Sequence, residues 1–190
     1  MEEIDIKKEK IIALIALILP FLNSIVLSIT NRSGIRIILA NPFGDFSSFI
    51  VLLLLLLSLY LISKKVSNIE IFRNYLKAFT IQIAFLVVVL ALFLTHGTLE
   101  NMPKSLIVMI LVLLYFSAIF STYYMKKSFE LIGNEFSNDY IKKGGDQLFW
   151  GVILTIILIG IIVAFVGWIN IIIGFFRLPD KIQREVTVTQ

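Results

Sequence analysis

Long apolar stretches punctuated by clusters of lysine and arginine leave this chain few ways to fold. A run of about 20 mostly apolar residues is long enough to cross a bilayer as a helix. Basic residues in the short loops between such runs mark the cytoplasmic side. If the chain crosses six times, fourteen of its seventeen Lys and Arg residues share one side. These are Lys7, Lys8 and Lys10, then Lys64, Lys65, Arg73 and Lys77, then Lys126, Lys127, Lys142 and Lys143, and finally Arg177, Lys181 and Arg184. Only Arg32, Arg36 and Lys104 face the other way. Five crossings would move the tail across and weaken the split to eleven against six. The bias therefore favours an all-α, polytopic membrane bundle of six transmembrane helices, with five as the alternative. It also favours a multi-pass protein of the cell membrane with both termini cytoplasmic. The composition agrees: 58% of residues are hydrophobic and 16% charged, against about 45–50% and 25% in soluble domains.

The expected spans are residues 11–29, 46–63, 78–95, 105–125, 144–159 and 160–176. Residues 1–10 form a cytoplasmic N-terminus, and residues 177–190 a cytoplasmic tail. The first span is longer than the roughly 7–15 residues of a signal-peptide core and has no small-residue cleavage site after it, so it reads as retained. Pro20 interrupts it, and Asn23 or Ser24 can bond the backbone groups that a kink would free. Asn41-Pro42-Phe43-Gly44 marks a turn in the following loop. The last apolar block, residues 148–176, admits two readings. As one tilted helix it would place Trp150 and Trp168 in opposite aromatic belts. The charge bias instead favours a hairpin turning near Ile159-Gly160, with arms so short that the bilayer must thin or neighbouring helices must shield them.

Two basic connectors carry helical periodicity. Val66, Ile69, Phe72 and Leu76 share one face, as do Phe129, Ile132, Phe136 and Tyr140. Each connector is expected as a short amphipathic cytoplasmic helix at the membrane surface, or else as an extension of the neighbouring span. Both open on a lysine pair and close alike, Asn74-Tyr75-Leu76-Lys77 beside Asp139-Tyr140-Ile141-Lys142, which hints at a duplicated unit.

Ile71-Phe72-Arg73-Asn74-Tyr75-Leu76, Lys126-Lys127-Ser128-Phe129 and the Gly-punctuated tail ending Gly174-Phe175-Phe176 resemble a family of archaeal integral membrane proteins catalogued as domain of unknown function 996. The resemblance runs from about residue 46 to the tail. It implies two helices in the final apolar block, as in the hairpin reading, although Lys142, Lys143 and Asp146 near the start of that block depart from the family pattern. It carries no activity, cofactor or catalytic residue.

The residues themselves point to no chemistry. There is no cysteine and a single histidine, His96, which removes disulfides, thiolate metal sites and bis-histidine haem ligation. Asp45, His96 and Glu100 lie on different loops without the spacing of a metal site, and nothing organises His96 beside a nucleophile. Gly144-Gly145 lacks the Lys-Ser/Thr of a phosphate loop. The basic residues flank apolar spans, where they serve orientation rather than nucleic-acid binding. No charge falls in the middle of the first four spans or between residues 148 and 176, which argues against a proton-coupled pump.

Three amides, Asn23, Gln82 and Asn170, are the candidate intramembrane polar site, more simply read as hydrogen-bonding glue between helices. Tyr115, Ser117, Ser121, Thr122, Tyr123 and Tyr124 form either an interfacial belt or a headgroup or quinone-type pocket. Gly160, Ala164, Gly167 and Gly174, with Ile171 among them, make a small-residue stripe for helix packing. It could pack within the chain, against a membrane protein partner or in a homo-oligomer. The expected function is that of a non-enzymatic accessory or scaffold subunit of a membrane assembly, with no cofactor. The alternative is a small transporter or channel for an uncharged or small solute.

Overall fold

The computed structural model describes residues 2–30, 46–97 and 102–184. In chain order these form β1 (Glu2–Asp5), α1 (Lys7–Thr30), α2 (Phe46–Lys65), α3 (Ile69–His96), α4 (Lys104–Glu135), α5 (Asp139–Ile153), a 3₁₀ turn (Leu154–Ile157), α6 (Ile159–Phe176) and β2 (Lys181–Arg184). Among the described residues the fold is all-helical apart from the two short strands and the connecting turns. It divides into a terminal unit, Met1–Ile69 with Ile172–Gln190, and a central unit, Glu70–Ile171.

Three helices among the described residues have the length and composition to cross a membrane: Ile69–His96, Lys104–Glu135 and Ile159–Phe176. The expected count of six is not supported. The clearest departure concerns the fifth span. A turn does divide the final apolar block, but α5 begins at Asp139 rather than Gly144 and is only 15 residues long. At 1.5 Å per residue that is about 22 Å, short of a bilayer core of about 30 Å. The separate connector helices are absent too. Residues 69–77 are the first turns of α3, residues 126–135 the last turns of α4, and residues 139–143 the start of α5. Helices this long keep their backbone ladder unbroken, whereas a separate connector would need two extra sets of capped ends.

The periodicity misled because it was read through a turn. At the end of α2, Ser67 N–H bonds Lys64 O at 3.3 Å and Asn68 N–H bonds Ser63 O at 2.9 Å. At the end of α4, Ser137 N–H bonds Asn134 O at 3.3 Å and Asn138 N–H bonds Gly133 O at 2.7 Å. Both are Schellman closures with a left-handed serine, φ 52° and 49°, where glycine is the usual residue. Asn138 then caps α5, its side chain accepting from Tyr140 N–H and Ile141 N–H. Each turn resets the helical phase. Ile71, Tyr75 and Ala78 are therefore buried, while Ile69 and Leu76 are exposed.

The resemblance between the connectors is thus one of turn geometry, in a different register. Ser67-Asn68 matches Ser137-Asn138, not Asn74 with Asp139. In that register Leu59 matches Phe129, Ile62 matches Ile132 and Ile71 matches Ile141, every one of them fully buried. Ser58 and Ser128 match as well, and they do the same work. Ser58 donates to Glu9 O at 2.7 Å in the terminal unit, and Ser128 donates to Ile71 O at 2.8 Å in the central unit.

In the terminal unit β1 and β2 pair antiparallel, Glu2 with Arg184 through Asp5 with Lys181. Ile6 N–H bonds Asp180 O at 2.9 Å. Lys10 Nζ reaches Leu178 O at 2.6 Å and the Asp180 carboxylate at 2.9 Å. Lys65 donates to Asp5 O and pairs with the buried Glu9. Lys181 meets Glu3 at 2.8 Å. The hydrogen bond from Lys10 holds the Asp180 carboxyl below its ordinary 3.8 against the opposing effect of desolvation, and the charges of Lys10 and Lys7 add to the lowering. Bonding to Glu3 raises Lys181 above 10.5. A depressed carboxyl stabilises the fold above its unfolded pKa and loses that contribution as pH falls through the folded value, whereas a raised ammonium contributes below its unfolded pKa and fades as pH rises through the folded value. The strand pair should therefore hold evenly between about pH 4 and 10, fraying outside that window. Amide exchange at Ile4 and Ile182 across pH, corrected for intrinsic rates, measures it.

Candidate functional site

The tightest construction in the central unit is the contact between α5 and α6. The small stripe on α6 meets a second stripe on α5 that the sequence reading overlooked: Gly144, Leu148 and Gly151. A methyl group on Gly151 would sit 2.6 Å from the Ala164 Cα, and one on Gly167 would sit 2.6 Å from Leu148 N and 2.8 Å from Gly144 O. One on Gly144 would sit 2.7 Å from Gly167 O. At Gly160 it would overlap Gly151 O and the backbone of Leu154 and Thr155. Backbone thus lies on backbone, which only small residues permit. Gly174 is buried in the terminal unit, where its carbonyl accepts from Arg177 N–H at 3.1 Å. The missed signal was the spacing of Gly144, Leu148 and Gly151, which puts them on one helical face.

Asn170 donates to Gln147 Oε1 at 2.6 Å, joining α6 to α5. Gln82 is half-buried on α3 and makes no hydrogen bond to a described residue. The side chain of Asn23 lies outside the described residues. Asn170 thus bonds Gln147 rather than Gln82, and the expected site of three amides lies partly outside the described residues. Of the loop carboxylates considered for a metal, Asp45 and Glu100 lie outside the described residues. His96 Nδ1 sits 2.8 Å from Thr95 Oγ1 at the end of α3. Among the described residues no group of three His, Asp or Glu side chains could hold a metal ion.

The hydroxyls of α4 do not converge on a pocket. Ser117 and Thr122 bond carbonyls of their own helix at 2.8 and 2.7 Å. Ser121 reaches Ala78 O on α3 at 3.2 Å, and Tyr115 reaches Ile153 O on α5 at 2.8 Å. Tyr123 and Tyr124 lie beneath lysines. Lys127 Nζ is 4.7 Å from the Tyr123 ring centre and Lys77 Nζ is 5.4 Å from that of Tyr124. Lys126 Nζ stands 5.5 Å from the Phe149 ring and bonds Asp146 at 2.7 Å. Lysine and aromatic side chains at one level form the kind of belt found at membrane boundaries.

Below this belt a shallow groove of about 380 Å³ is lined by Glu70, Asn74, Lys127, Glu130, Leu131 and Asn134. Its carboxylates and ammonium offer mixed charge without a nucleophile–base pair. The sequence reading passed over it, although Glu70 and Asn74, like Glu130 and Asn134, stand one helical turn apart.

Apolar helices of spanning length, a lysine–aromatic belt and helix contacts built on small residues are compatible with an α-helical membrane protein. The chain belongs to the family described as Protein of unknown function (DUF996), whose model matches residues 47–169. This agrees with the resemblance read from the motifs at residues 71–76 and 126–129. The chain is also similar to Uncharacterized protein MJ1644 of Methanocaldococcus jannaschii. The two are 31% identical over 140 residues, 70% of this chain and 79% of the relative. No solved structure matches.

Proposed function

We propose that this protein is a non-enzymatic, multi-pass subunit of the cell membrane that works by association, as an accessory or scaffold for a larger membrane assembly. One observation carries the reading: among the described residues, polar side chains within the apolar helices, Gln82 apart, are engaged in holding the protein together. Thr80, Thr95 and Ser117 bond carbonyls of their own helices, Thr155 in the turn bonds the Gly151 carbonyl of α5, and Tyr115, Ser121 and Asn170 tie helix to helix. The outward surface of α4 is left aliphatic and aromatic, with Val108, Leu111, Val112, Phe116 and Phe120 exposed. Such a surface suits lipid or another helix.

Both termini are placed in the cytoplasm in this reading. The pairing of β1 with β2 supports it, because two strands can share a ladder only in one compartment. So does the concentration of basic residues beside them. Extraction in a mild detergent followed by mass spectrometry tests the function. A stoichiometric membrane protein partner is the expected result, and a monomer without companions would remove the reading.

Gln82 favours a second reading, a small transporter or channel. An amide in the apolar stretch of α3 with no hydrogen-bonding partner among the described residues is costly unless water or a solute reaches it. Solute flux in proteoliposomes that is lost in Gln82→Leu would establish this alternative.

A further inference from the structure

The turn between α5 and α6 has the wrong composition for water. Hairpin tips in water favour Gly, Asn and Asp. Here Leu154, Ile156, Ile157, Leu158 and Ile159 surround a single Thr155, whose hydroxyl bonds Gly151 O at 2.9 Å. Ile156 and Leu158 are 73% and 72% exposed. Leu158 takes the left-handed conformation, φ 62°, at a position where glycine or asparagine is the usual choice. The backbone of the turn is bonded internally, Leu158 N–H to Thr155 O at 2.9 Å and Ile161 N–H to Leu158 O at 3.2 Å. Internal pairing is what hydrocarbon demands of any backbone it contacts.

The depth of this turn can be read from α4. Lys104 and Lys126 bracket the apolar stretch of α4, about 33 Å apart at 1.5 Å per residue and close to the thickness of a bilayer core. Tyr115 falls midway between them. The Tyr115 hydroxyl bonds Ile153 O, so the end of α5 is level with the centre of that stretch. Midway along α5, about two turns earlier, Asp146 bonds Lys126, and Phe149 lies beneath the same lysine. From Trp150 to Leu158 the chain advances about 12 Å, less than half the core. The two tryptophans agree. Gly167 packs on Leu148 N and Gly144 O, which sets Trp168 level with the start of the apolar part of α5. Trp150 and Trp168 thus mark one boundary rather than two. At the far end of the neighbouring helices stand Thr95, His96 and Lys104, and the hairpin tip has no counterpart to them.

From this placement we infer that α5 and α6 form a re-entrant hairpin. It enters the bilayer from the side of Lys126 and turns back near the midplane, with residues 156–159 seated among acyl chains. Such a hairpin leaves the basic clusters on either side of it in one compartment. The inference goes beyond the accessory reading and does not depend on it.

The absence of cysteine makes the test direct. Single-cysteine variants Ile157→Cys, Lys142→Cys and Lys104→Cys are placed in sealed vesicles of one orientation and treated with a membrane-impermeant maleimide from each side. Lys142→Cys and Lys104→Cys should label from opposite sides. Ile157→Cys should label from neither side, yet label fully after solubilisation in SDS. A bimane on that cysteine should be quenched more by 12-doxyl than by 5-doxyl phosphatidylcholine. Labelling of Ile157→Cys from the side that labels Lys104→Cys means a full crossing, and labelling from the other side means a hairpin outside the membrane. Protection without doxyl quenching means that protein, not lipid, covers the tip. Each of these three results overturns the inference.

Discussion

Gly151→Leu should pull α5 from α6 and destabilise the protein by about 1–3 kcal/mol, towards the upper end of the range for an overpacked interior. The obstacle is backbone, with the Ala164 Cα and Cβ both 2.6 Å from a methyl group at that position. A flexible neighbour could swing aside, but a helix axis cannot move without disturbing the Asn170–Gln147 bond and the Gly167 contact with Leu148. Unfolding in mixed micelles titrated with SDS reads the loss. Ile156→Leu, at an exposed tip position, should change stability by no more than about 0.5 kcal/mol. Equal behaviour of the two variants would show that the interhelical contact is not needed.

Phe129→Ala should cost more, about 3–5 kcal/mol, the range for removing a buried aromatic side chain. Phe129 is fully buried. Its ring meets Tyr75 edge-on at 6.4 Å between centroids, and a Cβ built on Gly145 would approach its own Cβ at 3.2 Å. It therefore sits where α3, α4 and α5 converge beyond the apolar stretches, and no neighbour can refill the space. Phe120→Ala, on the exposed surface of α4, should lose far less. Thermal unfolding in detergent, followed by near-ultraviolet circular dichroism, compares the two.

Much of this architecture was legible in the residues, because lipid imposes one simple demand, apolar length. Helical segments over 11–29, 46–63, 78–95 and 105–125 all fall inside observed helices. The split of the last block at a turn was legible as well. Its depth was not, since depth depends on which residues stand opposite one another, as Tyr115 does Ile153 and Lys126 does Asp146. The face assigned through Val66, Ile69, Phe72 and Leu76 failed for another reason. Ser67 adopts a positive φ that a serine does not advertise, and the phase is lost there. The stripe of Gly160, Ala164 and Gly167 could be seen in the sequence, whereas its partner on α5 could not be singled out before the pairing was known. Among the amides, Asn170 found a partner in Gln147, a residue that no pattern in the chain marks out.

The ladder between β1 and β2 has a consequence for biogenesis. Synthesis runs from the N-terminus, so β1 emerges before the helices, while the strand that completes it emerges after them. Throughout insertion the edge of β1 waits with its backbone groups unmatched. In the multi-pass arrangement proposed above, closure becomes possible only when every intervening helix has settled with the right parity. A chain threaded one pass too few would leave β2 on the opposite side of the bilayer and that edge open, a mark by which a misassembled copy could be told from a finished one.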